Sequence, residues 1–144
     1  MENTTKEVKK EEEYDALMER NGKLFAGMHV IVDLYDAERL DDINYMESVM
    51  REITEKCGAH LLHIHLHQFK PTGVTGVAIL SESHISVHTW PERNFAAFDV
   101  FMCGVATPEL AIDILKERFN AGRVESKCLE RGDSLGLSGN QQIS

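Results

Sequence analysis

Residues 81–92 alternate between two kinds of side chain in a way that constrains the fold of the whole chain. From Ser83 onward the alternation predicts a short strand, because successive side chains of a strand point to opposite faces of a sheet. One face carries His84, Ser86, His88 and Trp90, and the other carries Ile85, Val87 and Thr89. The first set is therefore predicted to provide functional side chains, and the second set is predicted to pack against the core.

Five further stretches have the composition or alternation of strands, namely residues 28–35, 60–69, 74–80, 95–103 and 123–129. Two helices are predicted between them. The first follows a cap at Asp41 or Asp42, and Gly58 ends it. Its apolar residues recur every three or four positions, at Ile43, Met46, Met50, Ile53 and Cys57. The second helix begins at Thr107 and Pro108. This order of elements predicts an α+β two-layer sandwich.

A chain of 144 residues fits one domain with a modest core. Residues 1–25 are dense in lysine and glutamate and are predicted to form a flexible, charged N-terminal tail. Residues 131–144 are rich in glycine, serine, asparagine and glutamine and are predicted to form a flexible C-terminal tail. The single α+β domain is therefore expected to span residues 26–130.

Charge and cysteine content narrow the classes of partner and compartment. The formal net charge of −9 argues against a nucleic-acid partner and is compatible with a cationic small substrate. No apolar run approaches the roughly 20 residues that span a bilayer, and the charged N-terminus lacks the apolar core of a signal peptide. Cys57, Cys103 and Cys128 are widely spaced and odd in number, which favours a reducing cytoplasm over a disulfide framework.

Three histidines, His63, His65 and His67, share one face of the predicted strand 60–69. Imidazoles arranged in this way are able to bind zinc. However, no fourth ligand or carboxylate occurs at a spacing that supports such a site. A polar sheet face is the favoured interpretation, and no metal is predicted.

The stretch Ser-Glu-Ser-His-x-x-x-His-Thr-Trp-Pro-Glu at 81–92 is followed at 96–104 by Ala-Ala-Phe-Asp-Val-Phe-Met-Cys-Gly. Together these segments closely resemble the prokaryotic S-adenosylmethionine decarboxylases, which are self-processing, pyruvoyl-dependent enzymes of polyamine synthesis. The resemblance extends from about Gly27 to about Gly132. It implies an antiparallel sheet with two helices on one face, and a homodimer whose sites lie between protomers.

Decarboxylation of an α-amino acid leaves electrons on Cα, and these electrons need an acceptor. Pyridoxal phosphate is the usual acceptor, held on a lysine, but no phosphate loop for it is identifiable in this sequence. The resemblance implies instead that Ser83 becomes a pyruvoyl group, after its hydroxyl attacks the carbonyl of Glu82. The chain would then split into residues 1–82 and 83–144.

The resemblance also implies roles for five other residues. His88 matches the family's processing histidine, and histidine suits a base near neutral pH. Cys103 matches the proton donor, although a cysteine there is otherwise expected to be a small buried residue. Thr75 stands where the family usually has a serine that assists processing. Phe69 matches an aromatic that stacks on adenine, and Glu92 matches a carboxylate that binds the ribose hydroxyls. Their alternatives are core packing and a surface charge.

The expected activity is therefore pyruvoyl-dependent decarboxylation of S-adenosylmethionine, which makes the aminopropyl donor for spermidine synthesis. Two alternatives remain open at the level of the sequence. The same chemistry on ornithine or arginine would keep Ser83, His88 and Cys103 but would not need the adenosyl-binding residues. A non-enzymatic, metal-binding module would instead use His63, His65 and His67 as ligands.

Overall fold

The structure is a computed structural model and describes residues 16–133. Within this range the chain forms eight strands, two α-helices and one short 3-10 helix. The strands are β1 (Met18–Arg20), β2 (Lys23–Phe25), β3 (Gly27–Tyr35), β4 (Leu61–Gln68), β5 (Val74–Leu80), β6 (Ser83–Trp90), β7 (Phe95–Met102) and β8 (Arg123–Arg131). The helices are α1 (Ile43–Cys57) and α2 (Leu110–Arg118), and the 3-10 helix spans Pro91–Arg93.

Six of the strands form one antiparallel sheet in the order β4-β5-β6-β7-β3-β8. The remaining two, β1 and β2, pair with each other in a hairpin. Both helices pack against one face of the large sheet, which we call the inner face, and share a single core with it. The predicted α+β sandwich, with an antiparallel sheet and two helices on one face, is confirmed.

The inner face of the sheet is apolar and covered, whereas the opposite, outer face is open. In β3, Val30 and Val32 are fully buried, while Ile31 between them is 37% exposed. In β6, Val87 is fully buried and the neighbouring His88 is exposed. The alternation in residues 83–90 therefore produces one packing face and one polar, accessible face, as the sequence predicts.

Helix α1 begins and ends where the sequence predicts. The Asp42 carboxylate accepts a hydrogen bond from the Tyr45 amide at 3.0 Å, which caps the first turn. Gly58 ends the helix with φ at 85°, in the left-handed region that favours glycine. An ion pair of 2.6 Å between Glu52 and Arg118 joins α1 to the end of α2. These contacts place residues 58–60 beside the cavity described below.

The predicted flexible tail over residues 1–25 is wrong for residues 18–25, which form the β1–β2 hairpin. Its turn is made by Asn21 and Gly22, whose φ angles are 55° and 81°. Asn-Gly is a preferred sequence for such a turn because both residues tolerate the left-handed region. Met18 and Phe25 pair across the hairpin and are fully buried. Residues 1–15 lie outside the described part of the chain.

At the other terminus, β8 extends to Arg131, so the edge strand includes the first residue of the predicted C-terminal tail. Residues 134–144 lie outside the described part. Across residues 16–133, neither helix combines the length and the apolar character needed to cross a membrane. Cys57, Cys103 and Cys128 are all free thiols.

Strand β4 departs from the predicted alternation at Leu62. The pairing register with β5 shifts between Leu61 and His63, which gives β4 one residue more than its partner. As a result Leu61 packs against the core, and Leu62 is 60% exposed. The bulge arises from the pairing with β5, and the residue types in β4 alone do not reveal it.

Candidate active site

The turn between β5 and β6 holds its last residue in an unfavourable backbone conformation. Leu80 pairs with Ser83, so Ser81 and Glu82 alone connect the two strands. Glu82 has φ at 58°, in the left-handed region that non-glycine residues rarely adopt. Such a residue costs of order 1 kcal/mol and persists only where the flanking structure enforces it. Here both flanks are locked in the sheet, so the unfavourable backbone conformation is held at Glu82, the residue directly before Ser83.

Cys103 contacts this peptide bond from the end of the neighbouring strand. It follows β7 directly, and its thiol donates a hydrogen bond to the Glu82 carbonyl oxygen at 3.1 Å. The Cys103 amide donates to the Ser83 hydroxyl oxygen at 3.3 Å. A nucleophilic oxygen, a carbonyl and a thiol therefore lie together within one hydrogen-bonded group, which we call the Ser83 group: Glu82, Ser83 and Cys103.

The Cys103 thiol is held in its protonated form. Burial raises the pKa of Cys103, and the nearby Glu82 carboxylate raises it further, while the hydrogen bond with Ser83 acts weakly in the opposite direction. A thiol with a raised pKa keeps its proton at neutral pH and is therefore a proton donor rather than a nucleophile. Cys57, by contrast, lies in the core, where burial raises its pKa to about 11.

The Ser83 group opens into a cavity of about 530 Å³. This volume is within the range of small-molecule sites. The walls come from four segments of the chain, namely residues 16–17, 58–60, 81–83 and 103–106. The cavity therefore lies at the end of the sheet where the β5–β6 turn, the end of α1 and residues 16–17 meet.

A second group of functional candidates lies on the outer face, within the paired strands β5 and β6. Thr75 in β5 is directly opposite His88 in β6, and the Thr75 hydroxyl is 3.0 Å from His88 Nδ1. We call this pair the His88 group. His88 is five residues beyond Ser83 in the same strand, which corresponds to about 16 Å, and it points to the opposite face. Within one protomer the structure does not bring His88 to Ser83.

Phe69 and Glu92 lie near the His88 group, at the end of the sheet away from the cavity. The Phe69 ring is 46% exposed and contacts the His67 ring at a centroid distance of 4.6 Å. This exposure excludes the alternative that Phe69 is a core residue. Glu92, in the 3-10 helix, is exposed and accepts a 3.4 Å hydrogen bond from Thr72. Both side chains are accessible to a ligand on the outer side.

A third cluster on the outer face was not predicted as a site from the sequence. The Asp99 carboxylate is 2.5 Å from His29 Nε2 and 3.3 Å from His84 Nε2, and it also accepts a hydrogen bond from the Ser86 hydroxyl. Burial opposes ionisation of Asp99, but these three hydrogen bonds outweigh it and hold its pKa below the usual range. The alternation in β6 already placed His84 and Ser86 on one face; only the register with β7 adds Asp99.

His29, His84 and Asp99 are also the one set of side chains in residues 16–133 whose donor atoms, all within 4.8 Å of one another, could hold a metal ion. Both oxygens of the Asp99 carboxylate already accept hydrogen bonds. The predicted alternative at His63, His65 and His67 forms no such group in the described part of the chain. Those histidines line the outer side of β4, an edge strand.

Comparison with known proteins identifies the family. The sequence model described as S-adenosylmethionine decarboxylase matches residues 28–132. A protein named S-adenosylmethionine decarboxylase proenzyme from Parasynechococcus marenigrum is 47% identical over 100 residues, which cover 67% of this chain and 78% of the relative. One of the same name from Methanococcus aeolicus is 42% identical over 112 residues, covering 76% and 96%.

The fold comparison agrees with the sequence comparison. The crystal structure of the adenosylmethionine decarboxylase from Aquifex aeolicus superimposes with a TM-score of 0.70 at 32% identity, over 75% of this chain and 92% of that chain. The chain described here therefore belongs to the S-adenosylmethionine decarboxylase family. The Ser83 group and the His88 group both lie inside the matched range, whereas the β1–β2 hairpin lies outside it.

Proposed function

We propose that this protein is a proenzyme that splits itself between Glu82 and Ser83 and then decarboxylates S-adenosylmethionine with a pyruvoyl group derived from Ser83. The product would be the aminopropyl donor for spermidine synthesis. The observation that supports this best is the geometry of the Ser83 group. The carbonyl of a left-handed Glu82, the hydroxyl of the following serine and the Cys103 thiol lie in one hydrogen-bonded group at the wall of a cavity.

Splitting would begin when Ser83 Oγ attacks the carbonyl carbon of Glu82, which converts the peptide bond into an ester. Negative charge then develops on the Glu82 oxygen, where the Cys103 thiol already donates a hydrogen bond. A donor placed in advance at a developing oxyanion lowers the barrier. Removal of the Ser83 α-proton would release the ester by β-elimination. Hydrolysis of the resulting dehydroalanine end would give the pyruvoyl group and ammonia.

Once formed, the ketone of the pyruvoyl group supplies the acceptor for the electrons that decarboxylation leaves on the substrate. The cavity fits this group, because Ser83 itself lines it beside Cys103. Cys103 would deliver the proton that the substrate carbon needs after carbon dioxide leaves. The raised pKa of its thiol supports this role, since the donor must still carry its proton at working pH. Neither pyridoxal phosphate nor a metal ion is part of this proposal.

The proposal includes a homodimer, because the functional groups of one protomer do not meet. His88 and Thr75 lie on the outer face, about 16 Å along β6 from Ser83. That face also exposes large apolar side chains, with Ile79 at 45%, Trp90 at 42% and Leu129 at 42%. A second copy of the chain would cover these residues and place its own His88 beside Ser83 of the first. Pairing about a two-fold axis would complete both sites at once.

S-adenosylmethionine is the substrate favoured by the names of the relatives and by the accessible aromatic and acidic side chains. Phe69 offers an exposed ring for a purine, and Glu92 offers a carboxylate for ribose hydroxyls. The net charge of −9 suits the cationic sulfonium. No observation favours nucleic acid. The three free thiols agree with the predicted reducing cytoplasm, which remains a prediction.

A substrate panel tests this proposal. Purified protein would be incubated separately with carboxyl-labelled S-adenosylmethionine, ornithine and arginine, and released carbon dioxide would be counted. We expect release from S-adenosylmethionine, and none from a matched Ser83→Ala preparation. Release from ornithine or arginine alone would overturn the assignment of substrate. Equal release from the Ser83→Ala preparation would overturn the assignment of Ser83.

A further inference from the structure

The β1–β2 hairpin is not part of the range shared with the family model, yet the chain uses it at the candidate active site. Ala16 and Leu17, which lead into β1, line the same cavity as Ser83 and Cys103. The family match begins only at residue 28. One wall of the cavity is therefore built by a segment that lies outside the shared domain.

The hairpin is anchored in the core rather than laid on the surface. Met18 and Phe25 pair across it, and neither has any exposed surface. Burying two such side chains stabilises their position, because their apolar surface is removed from water. The hairpin is therefore fixed in position, and so are the contacts that its polar side chains make.

Arg20, the last residue of β1, connects the hairpin to the segment that contains Cys103. Its Nη1 donates to Glu109 at 2.7 Å, and its Nη2 donates to Glu109 at 3.3 Å and to the Ala106 carbonyl oxygen at 3.3 Å. The Ala106 amide in turn donates to the Cys103 carbonyl oxygen at 3.4 Å. A short chain of hydrogen bonds thus runs from the hairpin to the proton donor.

The segment 103–106 has few other attachments at its centre. Gly104 has φ at 66°, and nothing lies within 4 Å of the place where its Cβ would be. Val105 is 97% exposed. Beyond the segment, the Thr107 amide donates to the Cys57 carbonyl oxygen at 2.8 Å. At the end of the segment, Ala106 is buried in the core, and Arg20 adds a side-chain hydrogen bond to its carbonyl oxygen.

We propose that Arg20 is a positioning residue that holds the 103–106 turn against the N-terminal hairpin, so that the Cys103 thiol stays on the Glu82 carbonyl at the wall of the cavity that Leu17 also lines. For catalysis this rests on the proposed function, because Arg20 touches none of the reacting atoms and acts through Cys103. The effect of Arg20 on the accessibility of the Cys103 thiol does not depend on catalysis and is testable without any substrate.

The test measures the alkylation rate of Cys103 by iodoacetamide, followed by peptide mass. All variants would carry Ser83→Ala, which keeps one chain, and Cys128→Ser, which removes the exposed thiol. The hairpin offers a matched control: Lys23 forms ion pairs with Glu130 at 2.7 Å and with Asp133 at 3.7 Å, both at the β8 end of the chain. Far-UV circular dichroism and thermal unfolding would verify that each variant folds.

We expect Arg20→Ala to raise the alkylation rate about fivefold or more, because a local opening becomes easier. Arg20→Lys should restore part of the protection, and Lys23→Ala should leave the rate unchanged. The pH midpoint of alkylation should also fall in Arg20→Ala, since burial, the main cause of the raised pKa of Cys103, would be relieved. The charge of Glu82, the other group that raises this pKa, is present in every variant.

An alkylation rate and pH midpoint in Arg20→Ala equal to those of the parent would overturn the proposal, even if that variant unfolds at a lower temperature. Equal increases in Arg20→Ala and Lys23→Ala would also overturn it, because the effect would then belong to the hairpin as a whole. In the chain that retains Ser83, Arg20→Ala should slow splitting and lower kcat more than it raises KM. A chain that never splits would contradict the proposed function and leave the alkylation result standing.

Discussion

The Ser83 group and the His88 group share strand β6 but are built in opposite ways. The Ser83 group lies at a turn, where a left-handed Glu82 stores strain and a cavity gives access. The His88 group lies in mid-strand, where the register with Thr75 fixes a hydrogen bond on an open face. In the proposed function, the first group has the bond to be broken and room for a ligand, and the second has the processing base. By that proposal neither group alone is a complete site.

The difference shows how one sheet both holds an unfavourable backbone conformation and orients a side chain. Turns are the places where a backbone is able to adopt a strained conformation, provided that the flanking strands hold it there. Mid-strand positions give little freedom but orient side chains reliably across neighbouring strands. Combining them at one reacting centre requires either a bend of the strand or a second copy of the chain. The regular pairing of β6 with both neighbours excludes the bend.

Complementation between two inactive variants is the strongest test of whether the two groups act together. Ser83→Ala damages the first group, and His88→Ala damages the second. Each alone is expected to be inactive. When they are co-expressed in equal amounts, about a quarter of the native activity should return, because about half of the dimers are mixed and one of their two sites is intact. The measurement is carbon dioxide release per active-site equivalent.

The control for complementation places both changes in the same group. Ser83→Ala co-expressed with Cys103→Ala should restore nothing, since every site would then lack one member of the Ser83 group. If the pair of Ser83→Ala and His88→Ala also stays inactive, the two groups do not meet across a dimer. Our account of how the site is completed would then be wrong.

Replacing Cys103 alone tests which step depends on the thiol. Cys103→Ala should lower kcat by about 10²–10⁴-fold, the range typical of a lost general acid. Because the donor must be protonated, kcat of the unaltered enzyme should fall when the pH rises above the pKa of Cys103. Burial raises this pKa, so the fall should occur at a higher pH than the pKa of an ordinary thiol would give. Steady-state rates across pH measure this. An acid-side loss in place of the alkaline one would contradict the role.

The outer-side residues should affect binding more than chemistry. Phe69→Ala is expected to raise the KM for S-adenosylmethionine by up to about tenfold, the effect of losing one aromatic stacking contact. Leu110→Ala is a suitable control, because Leu110 is similarly exposed, at 45%, but lies at the start of α2, on the other side of the sheet. The same initial-rate measurement serves both variants. A fall in kcat with unchanged KM in Phe69→Ala would contradict stacking on the adenine.

An effect of similar size is expected at Thr75. Thr75→Val removes the hydroxyl that contacts His88 while keeping the shape, and should slow chain splitting about tenfold, as loss of one hydrogen bond to a functional group does. Thr75→Ser keeps the hydroxyl and should change the rate by no more than about threefold. The fraction of split chain against time gives both rates. Equal rates for the two variants would show that the hydroxyl is not used.

Local patterns predicted the elements of this fold because each side of a strand or helix has a distinct composition. The alternation in β6 and the apolar stripe of α1 are examples, and both are present. The N-terminal hairpin was missed although Asn21 and Gly22 form a recognisable turn signal. Its short strands each bury only one anchor, Met18 or Phe25, amid charged residues, and so carry no periodic pattern.

The site was predictable only where its residues belong to the sequence motif that resembles the family. Ser83, His88 and Cys103 were identified from the motif, but their separation into two groups depends on strand register and face. Asp99 was missed because its partners come from β3 and β6, which are distant in sequence from each other. Arg20 was missed for the same reason, since Glu109 lies 89 residues away.

The most direct test of the account is the intact mass of the purified protein. We predict two fragments, residues 1–82 and residues 83–144, with the second beginning in a pyruvoyl group and lacking a free amino terminus. Ser83→Ala should give one full-length mass. An active decarboxylase of full-length mass, with an unmodified serine at position 83, would contradict the central claim.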